Sequence, residues 1–389
     1  MPKSFNNYIQ TELTRLTETG NLRILPCITH QGNYVVFDGR RMLNLSSNDY
    51  LGLSADNELA NEFMQSARLN TSFFTSSSSR LLTGTFEAHE ELENTLSRLF
   101  GTESALIFNC GYMANTGILP AVSAKNTLIL ADKLVHASMI DGIRLSQGTH
   151  IRFNHNDYTQ LERLVAQNYE KYERIIVVTE SVFSMDGDTA DLQKLVQFKH
   201  SFPRILLYVD EAHAVGVRGA RGLGLAEEQG CIQDIDFLVG TFGKALASAG
   251  AYIVCKKEIR DYLVNKMRSF IFTTAMPPVN ALWTNFILKK TPFLQPQRAR
   301  LQKISSQLID AIREKGYVCV SDSHIVPLIV GDSFKAKKMA LDFQQNGFYA
   351  LPVRPPTVPE GTSRIRFSLN AQLTEEDINR LVSLTPKTQ

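Results

Sequence analysis

Cysteine is scarce in this chain: there are five among 389 residues, at Cys27, Cys110, Cys231, Cys255 and Cys319, and no CxxC pair. That scatter gives neither a disulfide framework nor the spacing of a structural zinc site. An excess of charge of one sign is missing too. Lysine and arginine number 41 against 39 acidic residues, for a formal charge of +2, so nothing electrostatic points to nucleic acid or an anionic membrane as partner. No segment is long and apolar enough to span a bilayer, and the opening stretch "MPKSFNNYIQTELTRL" has no apolar core of a signal peptide. These absences lead us to expect a reduced, cytoplasmic, soluble protein. What is plentiful is hydrophobic side chain, 43% of the total, enough for a sizeable core in one large unit or two to three domains.

Three regions differ in pattern. Phe5, Tyr8, Ile9, Leu13 and Leu16 fall on one helical face before Gly20, and "NYVVFDGRRMLNL" reads as a hairpin turning at Asp38–Gly39. This makes residues 1–45 an amphipathic arm and hairpin. "TSSSSR" (75–80) reads either as a short linker or as a tight polar loop near a site. From about residue 100, short apolar runs ("SALIF", "TLILAD", "HIRF", "RIIVVTE", "RILLYVD", "DFLVGTF", "AYIVC") alternate with helical stretches such as 158–167 and 192–200. Apolar runs without two-residue alternation suit strands covered on both faces of a mainly parallel sheet. We therefore expect a large α/β domain over 46–283. Beyond it, a helical stripe at Leu301, Ile304, Leu308 and Ile312, strand-like "IVPLIVGD" and "RIRFSLNA", and a last helix capped by Thr374 with Asp377 suggest a smaller α/β domain over 284–389.

In such sheets ligands bind beyond the carboxyl ends of the strands, and the candidate residues fall there. Asp210 closes the run "RILLYVD", with His213 shortly after. Lys244 follows the next run, as the lone charge in "LVGTFGKALASAGAY". A helix N-cap role for Asp210 is the plainer alternative, and a metal pair of Asp210 with His213 lacks further ligands. An acid at one strand end and a lysine after the next strand suit pyridoxal phosphate. The lysine amine forms a Schiff base with the cofactor aldehyde, and the carboxylate keeps the pyridine nitrogen protonated so that the ring accepts electrons. A buried lysine then makes sense as an imine, since desolvating an ammonium is costly. Gly111 and Tyr112 after "SALIF" open a helix whose amides suit a phosphate. "LVHASMIDG" carries His136 on a mixed helix, and "TESVFSMDGD" offers Ser184 in a loop. Each of these reads alone as an ordinary turn or structural residue; their recurrence at successive strand ends is what points to a site.

The motifs "VDEAHAVG", "TFGKAL", "NCGYMANTG", "ESVFSMDGD", "SSNDYLGL" and "FTTAMPP" together resemble the α-oxoamine synthases, pyridoxal phosphate enzymes of fold type I (aspartate aminotransferase-like), over about residues 23–385. The resemblance implies a large domain with a mainly parallel sheet and a smaller C-terminal α/β domain. It implies Lys244 as the Schiff-base lysine, Asp210 as partner of the ring nitrogen, and His213 and Ser184 as bonding the ring oxygen. Thr241, Gly111 and Tyr112 would lie at the phosphate, and His136 would stack on the ring and touch substrate. Arg23, Thr357 and Arg366 would be substrate contacts, with Arg366 as carboxylate clamp. A homodimer is implied, with the segment around Thr273–Thr274 reaching the neighbour's phosphate, and no metal. The stretch "RPPTVPEGTSRIRFSLNA" is similar to that of the member that condenses L-alanine with a pimeloyl thioester in biotin biosynthesis, the thiol being coenzyme A or acyl carrier protein. The Ala-Val-Gly after His213, shared with glycine-using relatives, and the serine-rich 75–80 loop keep open a glycine-using synthase of the 2-amino-3-ketobutyrate ligase or 5-aminolevulinate synthase type. An aminotransferase or a non-catalytic binding protein are the remoter alternatives.

Overall fold

A computed structural model describes residues 4–66 and 74–388. The chain divides into two compact units. The larger takes Leu51–Ser184 and Thr189–Ala299; the smaller takes the chain up to Tyr50, Met185–Asp188, and the chain from Arg300 onward.

In the smaller unit the helix Phe5–Glu18 precedes strands β1 (Thr29–Gln31), β2 (Tyr34–Phe37) and β3 (Arg40–Asn44). The β2–β3 turn is made by Asp38 (φ 49°) and Gly39 (φ 72°), the left-handed pair that a two-residue hairpin loop demands.

The larger unit is built on seven strands: β4 (Ser104–Phe108), β5 (Thr127–Asp132), β6 (Thr149–Phe153), β7 (Arg174–Glu180), β8 (Ile205–Asp210), β9 (Phe237–Thr241) and β10 (Ala251–Cys255). They lie in the order β4-β10-β9-β8-β7-β5-β6. Strands β5 to β9 pair in parallel, and β10 runs antiparallel to both β9 and β4. Every residue of β5, β9 and β10 is buried, as expected of strands covered on both faces. The run "HIRF" departs from that expectation: β6 is the sheet's edge, and most of its residues are exposed or half-buried. One core cluster joins the sheet face of Leu106, Ile129, Ile176 and Val239 to helix residues Ile118, Met139 and Leu263.

Two helices on that face are packed to backbone distance. A Cβ on Gly142, in the helix Ala137–Leu145, would stand 2.3 Å from the carbonyl oxygen of Asn115 in the helix Gly111–Val122. Glycine there lets the second helix bring its first turn beside Asn115.

The remaining strands, β11 (Ile325–Gly331), β12 (Phe348–Tyr349), β13 (Pro352–Val353) and β14 (Ser363–Ser368), belong to the smaller unit. A three-stranded antiparallel sheet has the order β11-β14-β13, while β12 pairs in parallel with β3 and closes a four-stranded sheet with β1 and β2. That pairing draws the amino-terminal hairpin into the smaller unit instead of leaving it as a separate arm. At the other boundary the division falls at Arg300, later than 283. The helix Pro278–Lys290 packs on the helix Glu87–Phe100, with Asn285 Nδ2 donating to Glu91 at 2.8 Å. Thr374 and Asp377 form the reciprocal capping box of the last helix, Glu375–Leu384.

Candidate active site

The carboxyl ends of β4, β7, β8 and β9, together with the segment after β5, open on a cavity of about 140 Å³. Gly111, Tyr112, His136, Asp210, His213, Thr241 and Lys244 all line it. Ser184 stands outside that lining, in the turn closed by the bridge between Val182 and Thr189.

Asp210 is 6% exposed. Its Oδ1 accepts from the Ala212 N–H at 2.9 Å and its Oδ2 from Asn115 Nδ2 at 2.8 Å. The same Asn115 nitrogen reaches Ser138 Oγ at 2.9 Å, and Asn115 Oδ1 accepts from the Tyr208 hydroxyl. Ser138 Oγ lies 2.8 Å from His136 Nδ1, which also accepts from the Ser138 backbone N–H at 3.2 Å. A backbone N–H can only donate, so Nδ1 is the acceptor and the neutral ring carries its proton on Nε2. Burial pushes the His136 imidazole below the ordinary histidine range. The Asp210 charge opposes that shift, and the Lys244 charge adds to it. His136 is not inside the helix, as its sequence setting suggested. It is the N-cap of Ala137–Leu145, its ring nitrogen occupying the place a serine or aspartate oxygen usually fills.

Lys244 is half-buried, between small neighbours, and its charge acts on both His136 and Glu180. Its carbonyl accepts from the Ala247 N–H at 2.9 Å, and Ala247 sits at φ 45°, a left-handed conformation unusual for a residue with a Cβ. Thr241 is 8% exposed; its hydroxyl donates to the Gly250 carbonyl at 2.9 Å and accepts from the Gly243 N–H at 3.3 Å. Gly111 and Tyr112 begin a twelve-residue helix whose N-cap, Cys110, takes the Met113 N–H. The first N–H groups of that helix have no intrahelical acceptor, and Gly111 and Tyr112 line the cavity. The Tyr112 hydroxyl is tied to Asp141.

Two of these residues escaped the sequence reading. Asn115, which links Asp210 to His136, is one helical turn beyond Gly111. Glu180, the last residue of β7, lines the cavity at 3% exposure. Among the described residues, no group of histidine, cysteine and acid side chains is arranged to hold a metal.

The smaller unit has a cavity of its own, about 300 Å³, lined by Arg23, Thr357 and Arg366 among others. Arg23 Nη2 donates to Thr357 Oγ1 at 2.8 Å. Arg366 donates to Ser368 Oγ, to Asn48 Oδ1 at 3.3 Å and to the Tyr50 hydroxyl at 3.3 Å. Arg354 lines the same cavity and donates to the Gly20 carbonyl. Burial and the nearby Arg23 charge lower its guanidinium from the usual value. Three guanidinium groups around one cavity suit an anionic ligand. The segment Thr273–Met276, in the larger unit, is tied down by Asn109 Nδ2 to Thr274 O (2.8 Å), by Ser76 Oγ to Met276 O (2.6 Å) and by the Ala275 N–H to Ser78 O (2.9 Å). The serine-rich stretch 75–80 is thus a built loop, not a linker.

The model of the family described as aminotransferase class I and II matches residues 40–384. A protein of Pasteurella multocida (strain Pm70) named putative 8-amino-7-oxononanoate synthase is 54% identical over 377 residues, 97% of each chain. The chain belongs to the class I and II aminotransferase family and, within it, to the 8-amino-7-oxononanoate synthases. Among solved structures it is similar to serine palmitoyltransferase from S. paucimobilis carrying a pyridoxal phosphate–myriocin adduct (TM-score 0.89, 28% identity, 97% of this chain and 96% of that one). It is also similar to 8-amino-7-oxononanoate synthase from Francisella tularensis (TM-score 0.74, 27% identity, 88% and 96%). The fold type expected from the motifs is the one found.

Proposed function

We propose that the chain catalyses the decarboxylative condensation of L-alanine with a pimeloyl thioester, the 8-amino-7-oxononanoate synthase reaction of biotin biosynthesis, with pyridoxal 5'-phosphate as cofactor. The observation that carries this reading is the hydrogen-bonded chain Asp210–Asn115–Ser138–His136, set in the same cavity as Lys244 and the helix N-terminus at Gly111.

The donor set fits the cofactor. Lys244 Nζ is the amine that would hold its aldehyde carbon. Asp210, buried and fixed by two N–H donors, would face the ring nitrogen. His136 would cover the ring. The free N–H groups at Gly111 and Tyr112 would take the phosphate, with Thr241 beside them, and His213 and Ser184 would bond the ring oxygen. When bound, pyridoxal phosphate supplies an electron sink for the carbanion at the amino-acid Cα.

The chain's own groups then move and place protons. The Lys244 Nζ amine, when free, would take the Cα proton and later return one. Asp210, held by two N–H donors, would place its carboxylate at the ring nitrogen and favour a proton there. His136 Nε2–H is a neutral donor for the oxygen that becomes negative when the thioester is attacked. Arg366, Arg23 and Thr357, in the cavity of the smaller unit, are the residues we assign to the amino-acid carboxylate and the acyl chain. A planar arginine suits the first. We assign a homodimer, with the Thr273–Thr274 segment serving the neighbour's phosphate, and a cytoplasmic location. The thiol is coenzyme A or acyl carrier protein.

The test is kcat/KM for alanine and glycine with pimeloyl, succinyl and acetyl thioesters, read by thiol release. The alanine methyl group is worth about 1–3 kcal/mol, or roughly 10–200-fold. Preference for alanine with pimeloyl supports the reading. Higher efficiency with glycine and a short acyl group assigns the chain to the glycine-using synthases instead.

A further inference from the structure

Glu180 and Asp210 end adjacent parallel strands and stand opposite each other in register. Residues paired in this way point to the same face of the sheet, and both line the cavity that holds Lys244. They are 3% and 6% exposed. Two carboxylates this close in a site shielded from water do not both ionise readily, so the hydrogen bonds decide which one does. Asp210 receives a donor on each oxygen, Asn115 Nδ2 and the Ala212 N–H. The backbone N–H of His136 acts on the Glu180 carboxyl and favours its charged form, and Glu180 Oε1 has no partner among the described residues.

We propose that Glu180 is a positioning residue that works as an uncharged carboxylic acid beside the His136 peptide N–H, so that it adds no second negative charge next to Asp210. The proposal rests on the functional reading above for the role of His136 and Asp210, but the state of Glu180 is a property of the chain itself. The other charged or titratable groups acting on it come from three further elements: Asp132 at the end of β5, Lys244 beyond β9, and His136 ahead of the helix Ala137–Leu145. Burial dominates and raises its carboxyl well above the usual range. Asp210 and Asp132 push the same way; Lys244 and the His136 N–H oppose. Held neutral, Glu180 keeps the His136 turn in place without adding a second negative charge that would compete with Asp210 for Lys244 and for a cationic ring.

The experiment compares wild type with Glu180→Gln, a neutral isostere, and Glu180→Ala. Infrared difference spectra of the holoenzyme, wild type minus Glu180→Gln at pH 7, should show the stretch of a protonated carboxyl. Glu180→Gln should keep kcat/KM within about threefold, whereas Glu180→Ala should lose tenfold or more in kcat with little change in KM. In the cofactor-free protein, a carboxyl that prefers its proton when folded loses stability as pH rises. The melting temperature of Glu180→Gln relative to wild type should therefore climb as pH rises above about 4.5, the carboxyl's ordinary value. Absence of the protonated-carboxyl band, with a flat melting difference, overturns the proposal. So does a folded Glu180→Gln enzyme as impaired as Glu180→Ala. The infrared and melting measurements need no substrate, so they stand even if the substrate assignment fails. Should Glu180→Ala not fold, the Gln variant still decides.

Discussion

Asn115 Nδ2 donates to Asp210 Oδ2 at 2.8 Å across 95 residues of chain. That one amide fixes the carboxylate from the helix side and, through the Ser138 hydroxyl, links it to the His136 ring. Asn115→Ala would strip a donor from Asp210 and an acceptor from the Tyr208 hydroxyl, both buried. We expect a loss of about 1–3 kcal/mol in stability, measured by denaturant unfolding. We also expect at least a tenfold fall in kcat/KM, measured by thiol release. A variant of normal stability and normal turnover would show that Asp210 and His136 do not need this link.

Lys244 should carry the cofactor. Borohydride reduction followed by peptide mapping is expected to find the pyridoxyl group on Lys244, and finding it on another lysine removes the assignment. Lys244→Ala should lose roughly 10²–10⁴-fold or more in turnover, the usual range for a lost proton-transfer group. It should still bind cofactor through the remaining contacts, which absorbance after gel filtration would reveal.

His89 gives the fold an acid limit. Its Nδ1 accepts from the Phe86 N–H at 3.1 Å and its Nε2 faces the Met276 carbonyl at 2.8 Å, so the ring is held neutral with its proton on Nε2. Burial, and then the Arg80 charge, lower its pKa to about 4. The unfolded chain binds the proton near pH 6.5, so stability falls as pH drops from there toward 4, by up to roughly 3 kcal/mol. His89→Gln keeps an acceptor and a donor and should flatten that part of the profile. Unfolding free energies at pH 7, 5.5 and 4.5 would check it. An unchanged slope would place the acid sensitivity elsewhere.

Gly142→Ala should be poorly tolerated even though alanine favours helix. The added methyl meets the Asn115 carbonyl at 2.3 Å, so the two helices must separate. A cost of about 1–3 kcal/mol is the usual scale for overpacking. Because Asn115 moves with its helix, turnover should fall along with the melting temperature; full activity at a normal melting temperature would contradict this coupling.

The strands and their ends were readable because each is a local signal. "RIIVVTE" and "RILLYVD" are apolar runs closed by an acid, and the structure makes them β7 and β8 with Glu180 and Asp210 at their ends. Asp38–Gly39, Gly20 and the Thr374–Asp377 pair likewise announce a turn, a helix stop and a cap from a few adjacent residues. Asn115 gave no such signal. Its importance comes from helix packing against a strand far along the chain, which neither periodicity nor motif spacing encodes. Glu180 was hidden differently. It resembles Asp210 in type and setting, and only the hydrogen-bond partners separate the two. Histidine is a rare N-cap, so the sequence around His136 points to a helix interior, and the edge position of β6 depends on strand order, which no local run reveals. The pairing of β3 with β12 is hidden in the same way, since no local signal reveals a partner on the far side of the chain.

The pairing of β3 with β12 also sets a schedule for synthesis. Leu43 takes Phe348 as its neighbour, so the amino-terminal hairpin leaves the ribosome about 300 residues before its partner exists. At about 5–20 residues per second, that is a wait of roughly 15–60 s. During it Met42 and Leu43, both buried in the finished fold, have no β12 to lie beside, while the sheet of the larger unit has every strand it needs once Cys255 is out. A nascent chain stopped shortly after residue 300 should therefore protect the larger unit from protease and leave the first 50 residues open to cleavage.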